Sequence, residues 1–531
     1  MYILLSLLVS TLGHALLLSQ DRPLAETTNG TYEGTFLSAL HQDQYMGIPY
    51  AQPPTGARRY SLPQSLQATW SDHRDAKLLP NACPQFSNTD DFASLGVKVD
   101  EDCLALNIVK PEGPVEGLPV VIWIHGGSYL TIVHESVALG KPMVAVSINY
   151  RLGYFGFLAS NELLNTGNVN LGLRDQQLAF QWVHENIKAF GGDPSKVTLW
   201  GESAGAMSIG AHLVSQGGDN HGLYRAAILE SGGATVDAYN GTDYYQPIYD
   251  SIVSKTNCNK AYDTLDCLRH VPYTELYSVL NETVHSIYRL DFMPIIDGSF
   301  IREWPHISMM EGRTANIPII TGSNTDEGTT FCPTTLNTTG ELRSFLLNEA
   351  GFKLKNTTVD RLLELYPDTP GFGSPFNDNA TTYPGYGTQY KRTAALVGDY
   401  VLIAANRLNA KTYTQHNRDV WAYRFNMQPI FTPPEIGVSH GIDLLFAFGI
   451  PNALLSASQN ATSKFMVDSW VSFVHDLDPN HGNKAKHFPK WPKYNEKSMN
   501  IVLDEQLYLE RDDYRQEGIQ YINDHLLEFV S

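Results

Sequence analysis

Residues 119–124 read PVVIWI and residues 143–148 read MVAVSI, two near-continuous apolar runs of strand length. Runs of that kind mark strands covered on both faces. Four more follow: 197–200 (VTLW), 226–229 (AAIL), 317–321 (IPIIT) and 420–425 (VWAYRF). Between them the period changes. Leu178, Trp182, Val183, Ile187 and Phe190 recur at helical spacing until Gly191-Gly192 stops the run. Ile519, Ile522, Leu526 and Phe529 repeat that spacing near the C-terminus. Buried strands alternating with helices predict an α/β fold around a mostly parallel sheet. Residues 35–60 read as a proline-rich surface segment, 235–315 as irregular, and 335–415 as helices and long loops. No linker or repeat divides the chain, so one large domain with insertions is expected.

One interruption carries chemistry. The run at 197–200 ends in Gly201-Glu202-Ser203-Ala204-Gly205, and small residues with Met207, Ile209 and Leu213 then suit a helix packed closely on a sheet. Strand, Gly-x-Ser-x-Gly and helix describe a nucleophile elbow, in which a tight turn lifts the serine oxygen out of the sheet. A serine hydroxyl needs a base, and the base an orienting acid, in the chain order serine, acid, histidine. Asp326 or Glu327, after the strand at 317–321, can supply the acid; composition does not choose between them. His440 follows the strand at 420–425 in a glycine-flanked loop, which singles it out among 17 histidines. His125-Gly126-Gly127-Ser128 follows an early strand, where backbone N–H groups of an oxyanion loop belong, with the Ala204 N–H as a further donor. Loss of one such donor costs about 10²–10³ in turnover.

Composition narrows the setting. The chain has 531 residues, 43% hydrophobic and 18% charged, enough for a sizeable core. A net charge of −19 argues against nucleic acid or an acidic membrane surface as partner. Residues 1–18 are strongly apolar, with Gly13 and Ala15 placed for cleavage, and predict a signal peptide over 1–15 and a secreted domain over 16–531. The run lacks a basic start and is short and interrupted for a membrane anchor. Sequons at Asn29, Asn240, Asn281, Asn337, Asn356, Asn379 and Asn460 agree with secretion. So do five cysteines, two pairs close in sequence plus one left over. A bridge from Cys83 to Cys103 would stabilise by roughly 3 kcal/mol in the loop-entropy picture. No cysteine or histidine cluster has zinc spacing, so no metal and no cofactor are expected.

Taken together, the chain resembles the type-B carboxylesterase/lipase family, which includes cholinesterases, fungal lipases and liver carboxylesterases. The resemblance rests on GIPYAQPP at 47–54, EDCLALN at 101–107, HGGSY at 125–129 and SINYRLGYFGFL at 147–158. NLGLRDQQLAFQWVHENIKAFGGDPSKVTLWGESAGA at 170–206, TDEGTTF at 325–331 and SHGIDLLFAFG at 439–449 complete it. It implies an α/β-hydrolase sheet of at least eight strands, Ser203 as nucleophile, His440 as base and Glu327, rather than Asp326, as acid. It implies oxyanion donors in the loop of Gly126, Gly127 and Ser128 with Ala204, disulfides Cys83–Cys103 and Cys258–Cys267, and a buried free thiol at Cys332. The implied activity is hydrolysis of carboxylic esters by a secreted serine esterase. The alternatives are a triacylglycerol lipase, an acyltransferase and a non-catalytic binding homologue.

The chain departs from the family pattern in three places. Ser128 stands where a third glycine is usual, which narrows the pocket against esters of bulky tertiary alcohols. The segment between Cys83 and Cys103 has Phe86 and Phe92 but no tryptophan to hold a quaternary ammonium, so choline esters are not expected. The same segment is shorter than the lid of the fungal triacylglycerol lipases, and a weaker preference for lipid interfaces follows.

Overall fold

The computed structural model describes residues 22–85, 96–124, 136–235, 239–283, 293–449, 455–481, 488–495 and 497–529. The expected signal peptide, Phe86, Phe92 and the oxyanion residues Gly126, Gly127 and Ser128 lie outside them.

The centre is an 11-stranded sheet. Its strands are β1 (Thr35–Leu37), β2 (Gln42–Pro49), β3 (Ala105–Pro111), β4 (Leu118–Ile124), β5 (Val144–Ile148), β6 (Gly192–Glu202), β7 (Ala226–Glu230), β8 (Ile319–Asn324), β9 (Val420–Phe425), β10 (Met499–Leu503) and β11 (Tyr508–Arg511). The order across the sheet is β11-β10-β9-β8-β7-β6-β4-β5-β3-β2-β1. From β5 through β4 and β6 to β10 every pairing is parallel; the outer pairings are antiparallel. The apolar runs have the cause that the sequence suggests. Val120, Ile122 and Ile124 of β4 enter the core on one face, while Val121 and Trp123 enter the core on the other. On that second face Trp123 and Trp200 meet edge to face, with ring centroids 4.8 Å apart.

Helices cover both faces: α1 (Leu171–Asn186), α2 (Ala204–Val214), α3 (Thr242–Lys255), α4 (Thr264–His270), α5 (Tyr273–Thr283), α6 (Tyr390–Gly398), α7 (Ala404–Gln415), α8 (Ala457–Asp476) and α9 (Gln516–Asp524). A π-helical turn, Asp399–Ile403, joins α6 to α7. Asp399 is fully buried there, paired with Arg515 at 2.7 Å and accepting the Tyr366 hydroxyl at 2.7 Å, which ties the start of α9 to the turn. Arg151, just after β5, grips Asp175 of α1 through Nε and Nη2 at 2.8 and 2.7 Å, joining two stretches that carry the family resemblance.

Two segments differ from expectation. Residues 35–60 are not all surface, since β2 is a strand of the main sheet. Its Gln42 and Asp43 are buried polar residues that hide the strand pattern, and Lys110 of the neighbouring β3 satisfies Asp43 at 2.7 Å. The stretch 235–315 holds α3 to α5, whose apolar face includes Tyr245, Tyr249, Ile252, Leu276 and Leu280. Tyrosines at core positions blur the helical period.

Cys83–Cys103 and Cys258–Cys267 are disulfide-bonded and Cys332 is a buried thiol that burial pushes up to about 12. Among the sequons, Asn281, Asn337, Asn356, Asn379 and Asn460 are exposed and Asn29 is half-buried. Asn240, by contrast, is buried. Among the described residues no helix is long and apolar enough to cross a membrane.

Candidate active site

Every side chain of the site comes from the C-terminal ends of parallel strands, where open α/β sheets place ligands. At the end of β6 the chain turns sharply into α2, and Ser203 takes φ +55°, ψ −123°, a conformation that a side chain rarely adopts. The turn is pinned from both sides. Ser203 N donates to the Glu230 carbonyl at 2.9 Å, and the Ser203 carbonyl accepts from Met207 N at 2.9 Å. Gly201 allows the return of the helix, since a Cβ there would lie 2.6 Å from the Gly205 backbone. Ala204 is the first residue of α2, so its N–H has no partner within the helix.

The two adjacent acids after β8 have separate tasks. Asp326 staples loops, accepting Phe376 N at 2.8 Å and Val438 N at 3.0 Å. Glu327 is fully buried and faces His440, with Oε2 2.7 Å from Nδ1. Its Oε1 accepts the Ser231 hydroxyl at 2.5 Å and Asn324 N at 2.7 Å. The Asn324 amide in turn donates to the Ser439 carbonyl at 2.9 Å and to Asp443 at 3.0 Å, holding the loop that carries the histidine. Phe331 packs a ring on His440, centroids 4.9 Å apart.

The Nε2 face of His440 lies 3.2 Å from Glu202 Oε1. Among the described residues it forms no hydrogen bond with Ser203 Oγ, the neighbour of Glu202 in the chain. Such bonds are often long without substrate and tighten when it arrives. Burial alone would push the imidazole down; the carboxylates of Glu202 and Glu327 outweigh burial and hold it up at about 9. Burial lifts Glu202 to about 8, with Asp443 and Glu327 adding to the rise and His440 opposing it. Burial, then Glu327, lifts Asp443 to about 6.

Of the residues expected from sequence, Ser203, Glu327, His440 and Ala204 therefore converge at one end of the sheet. Glu202, Ser231, Asn324 and Asp443 were not anticipated there. Their one sequence signal is position at or next to the end of a strand or beside His440.

A parallel sheet with a strained serine after one strand, an acid after a later one and a histidine after the next is an α/β-hydrolase. The profile of the Carboxylesterase family matches residues 21–521. The chain is 35% identical to Secreted lipase 1 of Botryotinia fuckeliana over 92% of its own length and 90% of the relative. It is 33% identical to Lipase 4 of Diutina rugosa over 93% and 95%. The solved structure of Aspergillus niger EstA superposes with TM-score 0.84 over 96% of this chain and 99% of that one, at 24% identity, which speaks to the fold. The chain belongs to the carboxylesterase family, and carboxylic ester hydrolysis is its reaction.

Proposed function

We propose that Ser203, His440 and Glu327 form the catalytic triad and cleave the ester through an acyl-enzyme. The observation that carries this reading is the 2.7 Å contact between His440 and a buried Glu327, beside a serine held at φ +55°. Ser203 Oγ attacks the ester carbonyl as His440 Nε2 takes its proton, and Glu327 stabilises the imidazolium through Nδ1. The Ala204 N–H, joined by N–H groups of the loop 126–128, holds the tetrahedral oxyanion. The imidazolium protonates the departing alcohol. Water, deprotonated by His440, then attacks the acyl-serine and releases the acid. Purified Ser203→Ala is expected to lose p-nitrophenyl acetate hydrolysis by a factor of at least about 10³ while folding normally; wild-type turnover would refute the assignment.

For the acyl group we infer an apolar chain. A largely apolar pocket is lined by Trp304, Phe352, Tyr400, Val401, Ala405 and Phe529 among others. Val401 and Ala405 also pack with Met207 and Phe331, which neighbour the serine and the histidine. Curated relatives named as lipases favour the lipase as the second reading. A rate that jumps once a long-chain ester passes its solubility limit would select it. Export with removal of residues 1–15 is supported by the two disulfides, the exposed sequons and relatives named as secreted. N-terminal sequencing of the protein from culture medium tests it.

A further inference from the structure

Beneath the elbow lies an acid that the reaction above does not use. Glu230 ends β7 in register with Glu202 of β6 across a parallel pair, so the two side chains share one face of the sheet. On its other side Glu230 is paired with Gly322, which has no side chain, and Tyr423 stands one strand further on. Glu230 is fully buried. Its Oε1 accepts the Trp470 indole N–H at 2.6 Å, and its Oε2 has no hydrogen-bond partner among the described residues. The Trp200 indole N–H faces the same carboxyl without closing a hydrogen bond.

The groups around it make the charge count one-sided. Glu202, Glu327 and Asp443 gather near a single imidazole, and Glu230 adjoins Asp443 and Glu202, with Tyr423 3.5 Å from Asp443. Among the described residues no lysine or arginine pairs with any of these acids. Four buried carboxylates against at most one imidazolium leave an excess of negative charge that an apolar site does not tolerate. Protons must therefore be held on some of the acids. Glu327 has three donors, Asp443 has the Asn324 amide and the Tyr423 hydroxyl, and Glu202, whose Oε1 closes no hydrogen bond, has the imidazole 3.2 Å away as an ionic partner. Glu230 has only an indole.

We propose that Glu230 is a carboxylic acid, not a carboxylate, in the working enzyme, and that it is a positioning residue. It supports the elbow as a neutral group and leaves Glu202 as the acid that shares a proton with His440. Its backbone carbonyl holds Ser203 N, so displacement of this residue displaces the nucleophile. Burial and the neighbouring Asp443 both act in the direction that keeps the proton on. The proposal rests on His440 as the base, but its first test does not.

The infrared spectrum of the wild type at neutral pH is expected to show the C=O stretch of a protonated buried carboxyl, absent from Glu230→Gln. In Trp470→Phe the band should move to higher frequency, because the carbonyl has lost its donor. Glu230→Leu, which removes the acceptor, is expected to lower kcat/KM by about tenfold, and Glu230→Gln to recover it to within about threefold of wild type, since a neutral amide does what a neutral acid does. A spectrum unchanged by Glu230→Gln overturns the proposal. So does a Gln variant no better than Leu, or one whose acid limb moves down by roughly one unit, because the charge would then be what matters. The band reports protonation without turnover, so it separates failure of this inference from failure of the triad.

Discussion

At the residue scale the site turns on which groups face the two nitrogens of His440. Nδ1 has a fully buried carboxylate and Nε2 has Glu202, and these two overcome the effect of burial on the ring. As the proposed base, His440 works only when neutral, and a raised pKa keeps it protonated to higher pH. Activity is therefore expected to rise towards alkaline pH, with an acid limb that belongs to the His440–Glu202 pair. Glu202→Gln removes one of the charges that hold the proton, so the acid limb of kcat/KM should move to lower pH by about one unit. A pH–rate series on the two proteins checks the sign. Much of this was legible in sequence: a serine between glycines after an apolar run has few readings. The acid was not. Asp326 and Glu327 are adjacent, and only the turn after β8 decides which one faces the histidine and which one staples Val438 and Phe376. Family resemblance points to Glu327, the acid that lies against His440, where composition gave no preference.

At the scale of elements the elbow is a junction of strand and helix built on close backbone approach. Gly201→Ala would set a methyl group 2.6 Å from the Gly205 carbonyl carbon, with backbone rather than a flexible side chain in its way. The helix must shift, at a cost of about 1–3 kcal/mol and a displaced Ser203, the proposed nucleophile. Thermal melting and kcat are both expected to fall, and an unchanged kcat would mean that the turn tolerates displacement. The core strands were readable because both faces of each are buried, which produces unbroken apolar runs. β2 was not, because a buried Asp43–Lys110 pair looks like surface in a sequence. Nor was α3, where Tyr245 and Tyr249 stand at core positions that leucine usually fills.

At the scale of the whole molecule the C-terminal helix is joined to the catalytic half by charge as well as by apolar packing. Asp399 in the π-helical turn and Arg515 at the start of α9 are both buried, and each is the other's counter-charge. Asp399→Asn leaves the guanidinium without it. The expected loss is about 3–5 kcal/mol, read as a lower denaturant midpoint. The apolar wall that Ile522 of α9 and Phe529 contribute to the pocket should loosen with it, so activity on long acyl chains is expected to fall more than activity on acetate.

The two disulfides have a consequence in time. Each joins cysteines close in sequence, 20 and 9 residues apart. During synthesis at about 5–20 residues per second, each pair leaves the ribosome within seconds of its first member. Cys83 can meet Cys103 before Cys258 exists, and Cys258 can meet Cys267 before Cys332 does. The odd thiol arrives last, after every earlier cysteine has had its nearest mate within reach, and in the finished fold it is buried. Order of emergence thus does the sorting that a randomly reoxidised chain, with all five thiols present at once, has to accomplish by reshuffling.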